Sequence, residues 1–188
     1  MNSSDLRSEL ESLHPESYGW ALSCCYRNAG EAESVLQTVY LKILQGKARF
    51  DGRAKFKTWL FSVIGRTAAD RRRRFLLHRL GLARYETYEP GDKNIDRPDE
   101  AVYRSEVQVL LLRALAQLPG RQRQTLQLVF YHDLSLEDAA RVMNVSVGSA
   151  RTHYERGKKR LRQLVEELRI VDESRSGRKG PEGAVPRG

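Results

Sequence analysis

Apolar positions along the chain recur at steps of three and four, and nowhere do they alternate in twos over a strand-length run. Ala32, Val35, Leu36, Val39, Ile43 and Leu44 trace one amphipathic helix. Phe56, Trp59, Leu60, Val63 and Ile64 begin another that can run to Leu77, and a short apolar helix from Trp20 to Tyr26 precedes both. Farther on, Val102, Val109, Leu112, Leu115 and Leu118 form a stripe that stops at Pro119-Gly120, a pair that breaks a helix. Leu126 to Tyr131, Leu136 to Met143 and Val147 to about Leu168 complete the series. The pattern predicts an all-α fold.

It also predicts two small helical domains. From Glu86 to Asp96 the apolar period disappears, and the stretch around it is acidic and carries Pro90, Gly91 and Pro98, which is the composition of a flexible acidic linker. From about residue 171 the chain is rich in Gly, Ser, Pro and charge, with little to bury, and is expected to be disordered. The expected division is a first domain over 1–85, a linker over 86–97, a second domain over 98–170 and a tail over 171–188. A length of 188 residues accommodates it.

Charge narrows the function. The chain has 33 Lys+Arg against 24 Asp+Glu, a net charge of +9. The excess lies in two blocks. Arg66, Arg71, Arg72, Arg73, Arg74, Arg79 and Arg84 are opposed only by Asp70, and Arg151, Arg156, Lys158, Lys159, Arg160 and Arg162 only by Glu155. Two basic helices suggest a polyanion partner. No run approaches the ~20 apolar residues that cross a bilayer, and the acidic N-terminus lacks an apolar signal core, so a cytoplasmic protein without membrane insertion is expected. The adjacent Cys24 and Cys25 form neither a disulfide framework nor a CxxC metal site, and are expected to be buried and inert. With no carboxylate cluster, nucleophile–base pair or phosphate loop, neither catalysis nor a cofactor or metal is expected.

The second block sits in a recognisable motif. Ser135 reads as an N-cap followed by Glu137 and Asp138 in the first turn, where cap oxygen and helix dipole both favour acids. Ala139 and Ala140 allow a close helix neighbour, Asn144 can close the helix in the left-handed conformation, and Ser146 caps the next, basic helix. This is a helix-turn-helix whose second helix can enter the DNA major groove. There Ser149, Arg151, Thr152, Glu155 and Arg156 are candidate contacts to bases or phosphates. Lys158 and Lys159 neutralise phosphate or form a solvated face.

In the first domain, Phe50 to Leu60 is a Gly-containing turn running into an amphipathic helix. Aromatic residues beside Lys55 and Lys57 can form a single-stranded nucleic-acid surface, while Phe56, Trp59, Leu60 and Phe61 at helical spacing equally suit a core.

Two sets of segments together resemble one family. Glu31 to Tyr40, Phe56-Lys57-Thr58-Trp59-Leu60 and Ala69 to Arg74 are similar to the first domain of extracytoplasmic-function sigma factors, the small two-domain members of the bacterial sigma-70 superfamily. Leu118 to Arg123, Leu134 to Ala140 and Val145 to Thr152 are similar to their second. The resemblance covers roughly 8–85 and 98–168 in the family's order. It implies that the first domain docks on the clamp helices of the largest subunit of core RNA polymerase through Glu31, Glu33, Gln37 and Tyr40. Lys55, Lys57, Trp59, Arg66, Thr67, Asp70, Arg71, Arg73 and Arg74 would then open and read the −10 element of promoter DNA, and the helix-turn-helix the −35 element. An anti-sigma factor is a further implied partner. The chain departs from the family at Ser34 and Thr38, where acids are usual, and at Asp51, Thr67, Asp133 and Glu155, where Arg, Asn, Gly and His or an aromatic are common. A stand-alone helix-turn-helix regulator with a dimerising first lobe is the alternative from another class.

Overall fold

The chain is seen in a computed structural model that describes residues 3–80 and 106–176, all helix and connecting turns, with no strand among them. Four helices form a first lobe: α1 (Ser3–Ser12), α2 (His14–Cys24), α3 (Ala29–Leu44) and α4 (Phe56–Arg79). A second lobe follows, with α5 (Glu106–Ala116), α6 (Gly120–Leu126), a π-helical turn (Gln127–Tyr131), α7 (Leu136–Met143) and α8 (Val147–Ser176). The expected linker, residues 86–97, and most of the expected tail lie outside the described residues.

Helices α2, α3 and α4 pack around Trp20, Val35, Val39, Leu60, Phe61 and Ile64, all essentially inaccessible. Trp20 stacks on Phe61 with ring centroids 5.9 Å apart and donates its indole N–H to the Phe61 carbonyl at 3.0 Å. A buried indole thus adds a satisfied donor to an apolar area worth about 4–6 kcal/mol. Asn28 caps α3 by accepting the Glu31 N–H at 2.9 Å.

The second lobe closes on Ala114, Leu118, Leu126 and Leu164, with Tyr154, Leu161 and Val165 at its margin. Gly157 lets α8 cross α6 closely, since a Cβ there would stand 3.2 Å from Leu126 Cγ. The helix-turn-helix matches its expected punctuation. Ser135 Oγ accepts the Asp138 N–H, Asn144 closes α7 at φ 52° and ψ 53°, and Ser146 Oγ accepts the Ser149 N–H.

Several expectations are corrected. Leu44 is exposed, because it lies one ~100° step beyond Ile43 and leaves the α3 stripe. The helix expected from Leu126 begins at Gly120, directly after Pro119, and Leu126 to Tyr131 instead spans its end and a π-turn. α2 ends at Cys24, and Tyr26 and Arg27 both take positive φ, 53° and 64°. The last helix continues to Ser176, so residues 171–176, expected to be disordered, are helical.

The two lobes are in contact. Leu128, Leu134, Ala139, Val142 and Met143 of the second lobe belong to the same continuous apolar cluster as Trp20, Phe61 and Ile64 of the first.

Candidate nucleic-acid interface

At about 100° per residue, α4 sorts the nine candidate −10 residues onto different sides. Trp59, Arg66, Asp70, Arg73 and Arg74 fall along one side, with Lys55 exposed where the helix begins; Arg66, Asp70, Arg73 and Arg74 are exposed as well. Trp59 is half-buried in an aromatic cluster with Phe50 and Phe56, at centroid distances of 5.5 and 5.3 Å. Both readings of these rings therefore meet in one place, a packed cluster whose outer edges reach solvent beside Lys55. The turn that delivers it uses Gly52 at φ +74°, and Asp51 accepts the Arg53 backbone N–H at 3.2 Å to hold the bend.

The other three take different places. Lys57 points to the second lobe, donating to the His132 carbonyl at 2.9 Å and pairing with Glu16. Arg71 lies against α3, its Nε donating to the Glu31 carboxylate at 2.8 Å. Thr67 is buried, its hydroxyl 3.5 Å from the Lys42 ammonium. Periodicity alone could have separated Thr67 and Lys57 from Arg66, since they sit one step round and half a turn round the helix.

The polymerase-facing candidates divide in the same way. Glu33 and Gln37 are exposed on the face of α3 that also carries Leu41 and Leu44, both more than half exposed. Leu41 was not singled out in the sequence, although its position one turn from Gln37 is readable there, and Leu44 was assigned to the buried stripe. Glu31 is turned to Arg71, and Tyr40 is half-buried with its hydroxyl 3.0 Å from His14 Nδ1. Burial raises the Tyr40 phenol above its ordinary value, so it stays a neutral hydrogen-bonding group.

In the helix-turn-helix, Arg151, Thr152, Glu155, Arg156 and Lys159 are exposed along one side of α8, and Ser149 is half-buried at its start. Thr152 bonds back to the Gly148 carbonyl at 3.0 Å, leaving its methyl outward. Lys158 sits 4.4 Å from the Tyr154 ring centroid and 3.1 Å from the Glu155 carboxylate. The acid that would repel phosphate thus has a cation beside it. Tyr154 stacks in turn on Phe130 at 5.7 Å.

Cys24 is buried and Cys25 half-buried, and burial pushes both thiols up, Cys25 to about 11, so neither is a thiolate at neutral pH. Among the described residues no cluster of His, Cys, Asp and Glu could hold a metal ion, and no helix is long and apolar enough to cross a membrane.

Comparison with known proteins bears on both lobes. Sigma-70 region 2 matches residues 10–75, and Sigma-70 region 4 matches residues 108–161. The chain is 31% identical over 165 residues to the ECF RNA polymerase sigma factor SigX of Bacillus subtilis, covering 85% of this chain and 84% of that protein. It is 27% identical over 166 residues to the RNA polymerase sigma factor CarQ of Myxococcus xanthus, covering 88% and 92%. Among solved structures, the sigma factor RpoE of Bartonella quintana, co-crystallised with the anti-sigma factor NepR, aligns with a TM-score of 0.63 at 21% identity, over 86% of this chain and 97% of that one. CnrH in complex with the cytosolic domain of CnrY aligns with a TM-score of 0.59 at 20% identity, over 88% and 90%. At those identities the structural likeness speaks to the fold.

Proposed function

The chain belongs to the extracytoplasmic-function family of RNA polymerase sigma factors, and from that premise we propose how its surfaces divide the work of starting transcription. It binds core RNA polymerase and directs it to promoters by reading −10 and −35 elements. The first domain, over residues 1–85, docks on the clamp helices of the largest subunit through Glu33 and Gln37, with Leu41 and Leu44 supplying apolar contact on the same face. Glu31 and Tyr40 shape that surface from behind, one tied to Arg71 and the other to His14.

Lys55, Trp59, Arg66, Asp70, Arg73 and Arg74 form the −10 surface. The arginines track phosphate, and the edges of the Phe50, Phe56 and Trp59 cluster receive unstacked bases. The second domain, over residues 98–170, reads the −35 duplex through Arg151, Thr152, Glu155 and Arg156, with Lys159 on phosphate. The protein does no chemistry of its own and works in the cytoplasm, where core polymerase is. An anti-sigma factor is its expected regulator; RpoE, which shares the fold, is seen with the anti-sigma factor NepR.

The observation that carries this reading is the pair of solvent-facing basic helix faces, α4 in the first lobe and α8 in the second. A gel-shift series with and without core enzyme tests it. Promoter DNA is retained tightly only when core is present. Tight binding of palindromic duplex by a dimer without core would make the chain a stand-alone regulator instead.

A further inference from the structure

We propose that the cleft between the two lobes is a binding site for a compact polyanion bearing a triphosphate chain, gripped by arginines from both walls.

The lobes meet at a socket in which Trp20 and Phe61 of the first hold His132 of the second, with ring centroids 6.0 and 4.8 Å from it. Beside Trp20 the seam opens into a cleft of about 500 Å³. Helix α7 packs against both α4 and α6, and its closing turn, Met143-Asn144, lines the cleft. Arg66, Arg72 and Arg73 line it from α4, and Arg121 and Arg123 from α6. Asp70 is the one acid among the described residues of its wall. None of the five guanidiniums pairs with a carboxylate among the described residues. Five arginines against one aspartate leave a net of four positive charges, which repel one another until an anion joins them.

Four of the five are held in place by neutral groups. Arg66 donates to the Ser62 carbonyl and hydroxyl, both at 3.1 Å, and Arg72 to the Tyr26 hydroxyl at 3.3 Å. Arg121 donates to the Met143 carbonyl at 3.1 Å and Arg123 to the Ala116 carbonyl at 3.3 Å. The Tyr26 ring centroid lies 5.7 Å from the Arg72 guanidinium and 5.4 Å from that of Arg123, so one arginine of each lobe rests on a common support. A guanidinium carries five N–H donors, and these contacts fix its position while leaving most of them unused. Cations held this way lose little side-chain freedom when a ligand arrives.

Charge and size select the ligand. A triphosphate chain carries about four negative charges near neutral pH, which matches the cleft. Its oxygens suit planar guanidiniums, which can take them two at a time. The volume falls in the range of roughly 300–1,000 Å³ typical of small-molecule sites. A single orthophosphate is too small and too weakly charged to engage arginines on both walls. Nucleoside triphosphates and inorganic tripolyphosphate share the chain that is recognised.

Calorimetric titration of the full chain with inorganic tripolyphosphate, at physiological ionic strength and without magnesium, tests the site. It is read on the free protein and does not depend on the promoter-reading assignment. One molecule should bind per chain, and saturation should raise the thermal midpoint. Arg72→Gln on one wall and Arg121→Gln on the other should each weaken binding about tenfold at unchanged helical content, as expected for one lost charge-assisted hydrogen bond. Lys47→Gln and Arg53→Gln, which remove the same charge outside the cleft, should change affinity by less than about twofold, since salt screens them. ATP is the second probe. Binding of either probe, lost in the same two variants, supports the site, and a tighter fit for ATP assigns it to nucleotides. Equal affinity for orthophosphate, several tripolyphosphates per chain, or control variants as weak as the cleft variants would mean a diffuse counterion layer and overturn it. Loss in Arg72→Gln alone would place the anion on α4 by itself and overturn the two-walled cleft. No uptake of either probe overturns the proposal outright.

Discussion

Lowering the pH from 7 to 5 should loosen this protein through a single imidazole. Burial first, and the Lys57 ammonium second, push His132 down to about 4 from an ordinary 6.5, with Glu16 and Asp133 only partly offsetting them. The folded, closed chain therefore holds this ring neutral. Any state in which it is hydrated, open or unfolded, binds a proton more readily between those two values. The sign follows: the contribution is fully present above about pH 6.5 and is lost as pH falls toward 4. Between pH 7 and 5 the loss is about 2 kcal/mol, from the ratio of proton-binding polynomials at 6.5 and 4. Carboxylates also titrate in that window, so the measurement is a difference of differences. Urea-unfolding midpoints are taken at both pH values for wild type and for His132→Phe, which leaves the socket filled and the other groups in place. The gap between the two proteins should widen by about 2 kcal/mol at the lower pH, roughly 1 M urea at the m-values of a small protein. Parallel pH dependences would show that His132 is hydrated in the native chain, and would refute its placement between Trp20 and Phe61.

Three further predictions rest on single contacts. Asp133 stands at φ 54°, so Asp133→Gly should stabilise the chain by about 1 kcal/mol in chemical denaturation, and a loss of stability would mean that its side chain holds the turn. Arg156→Ala should weaken −35 recognition by about 1–3 kcal/mol and relax preference at one base pair in a binding-site selection. A uniform loss across sequences, with a shallower salt dependence, would place Arg156 on phosphate instead. Replacing Glu33 and Gln37 together by Ala should weaken core binding in a titration with labelled protein at unchanged helical content, and unchanged affinity would move the docking surface off this face of α3.

How much of this was legible in the sequence depends on the range of the interaction involved. The helix-turn-helix was readable in detail because its determinants are local. Ser135 and Ser146 cap within three residues, and the αL closure at Asn144 is a property of that residue type. The course of α3 and α4 followed from their periods. What the period also contained, and was not drawn out, is which side of each helix a residue takes: Leu44 off the buried stripe, Thr67 inward, Lys57 away from Arg66. The Glu31–Arg71 pair, forty residues apart, and the Trp20–Phe61–His132 socket were not legible, because nothing local distinguishes a histidine that will be buried by another lobe from one in a solvated turn. The pairing of two lobes is decided by complementary surfaces, and those exist only once each lobe has folded.

One chain here carries polymerase to a promoter read at two places. Run-off transcription with purified core polymerase on a genomic promoter library puts that to the proof. Transcripts should depend on this chain and start from templates sharing two elements at a fixed spacing near −10 and −35. Output no different from core polymerase alone, or enrichment of one palindromic element, would contradict it.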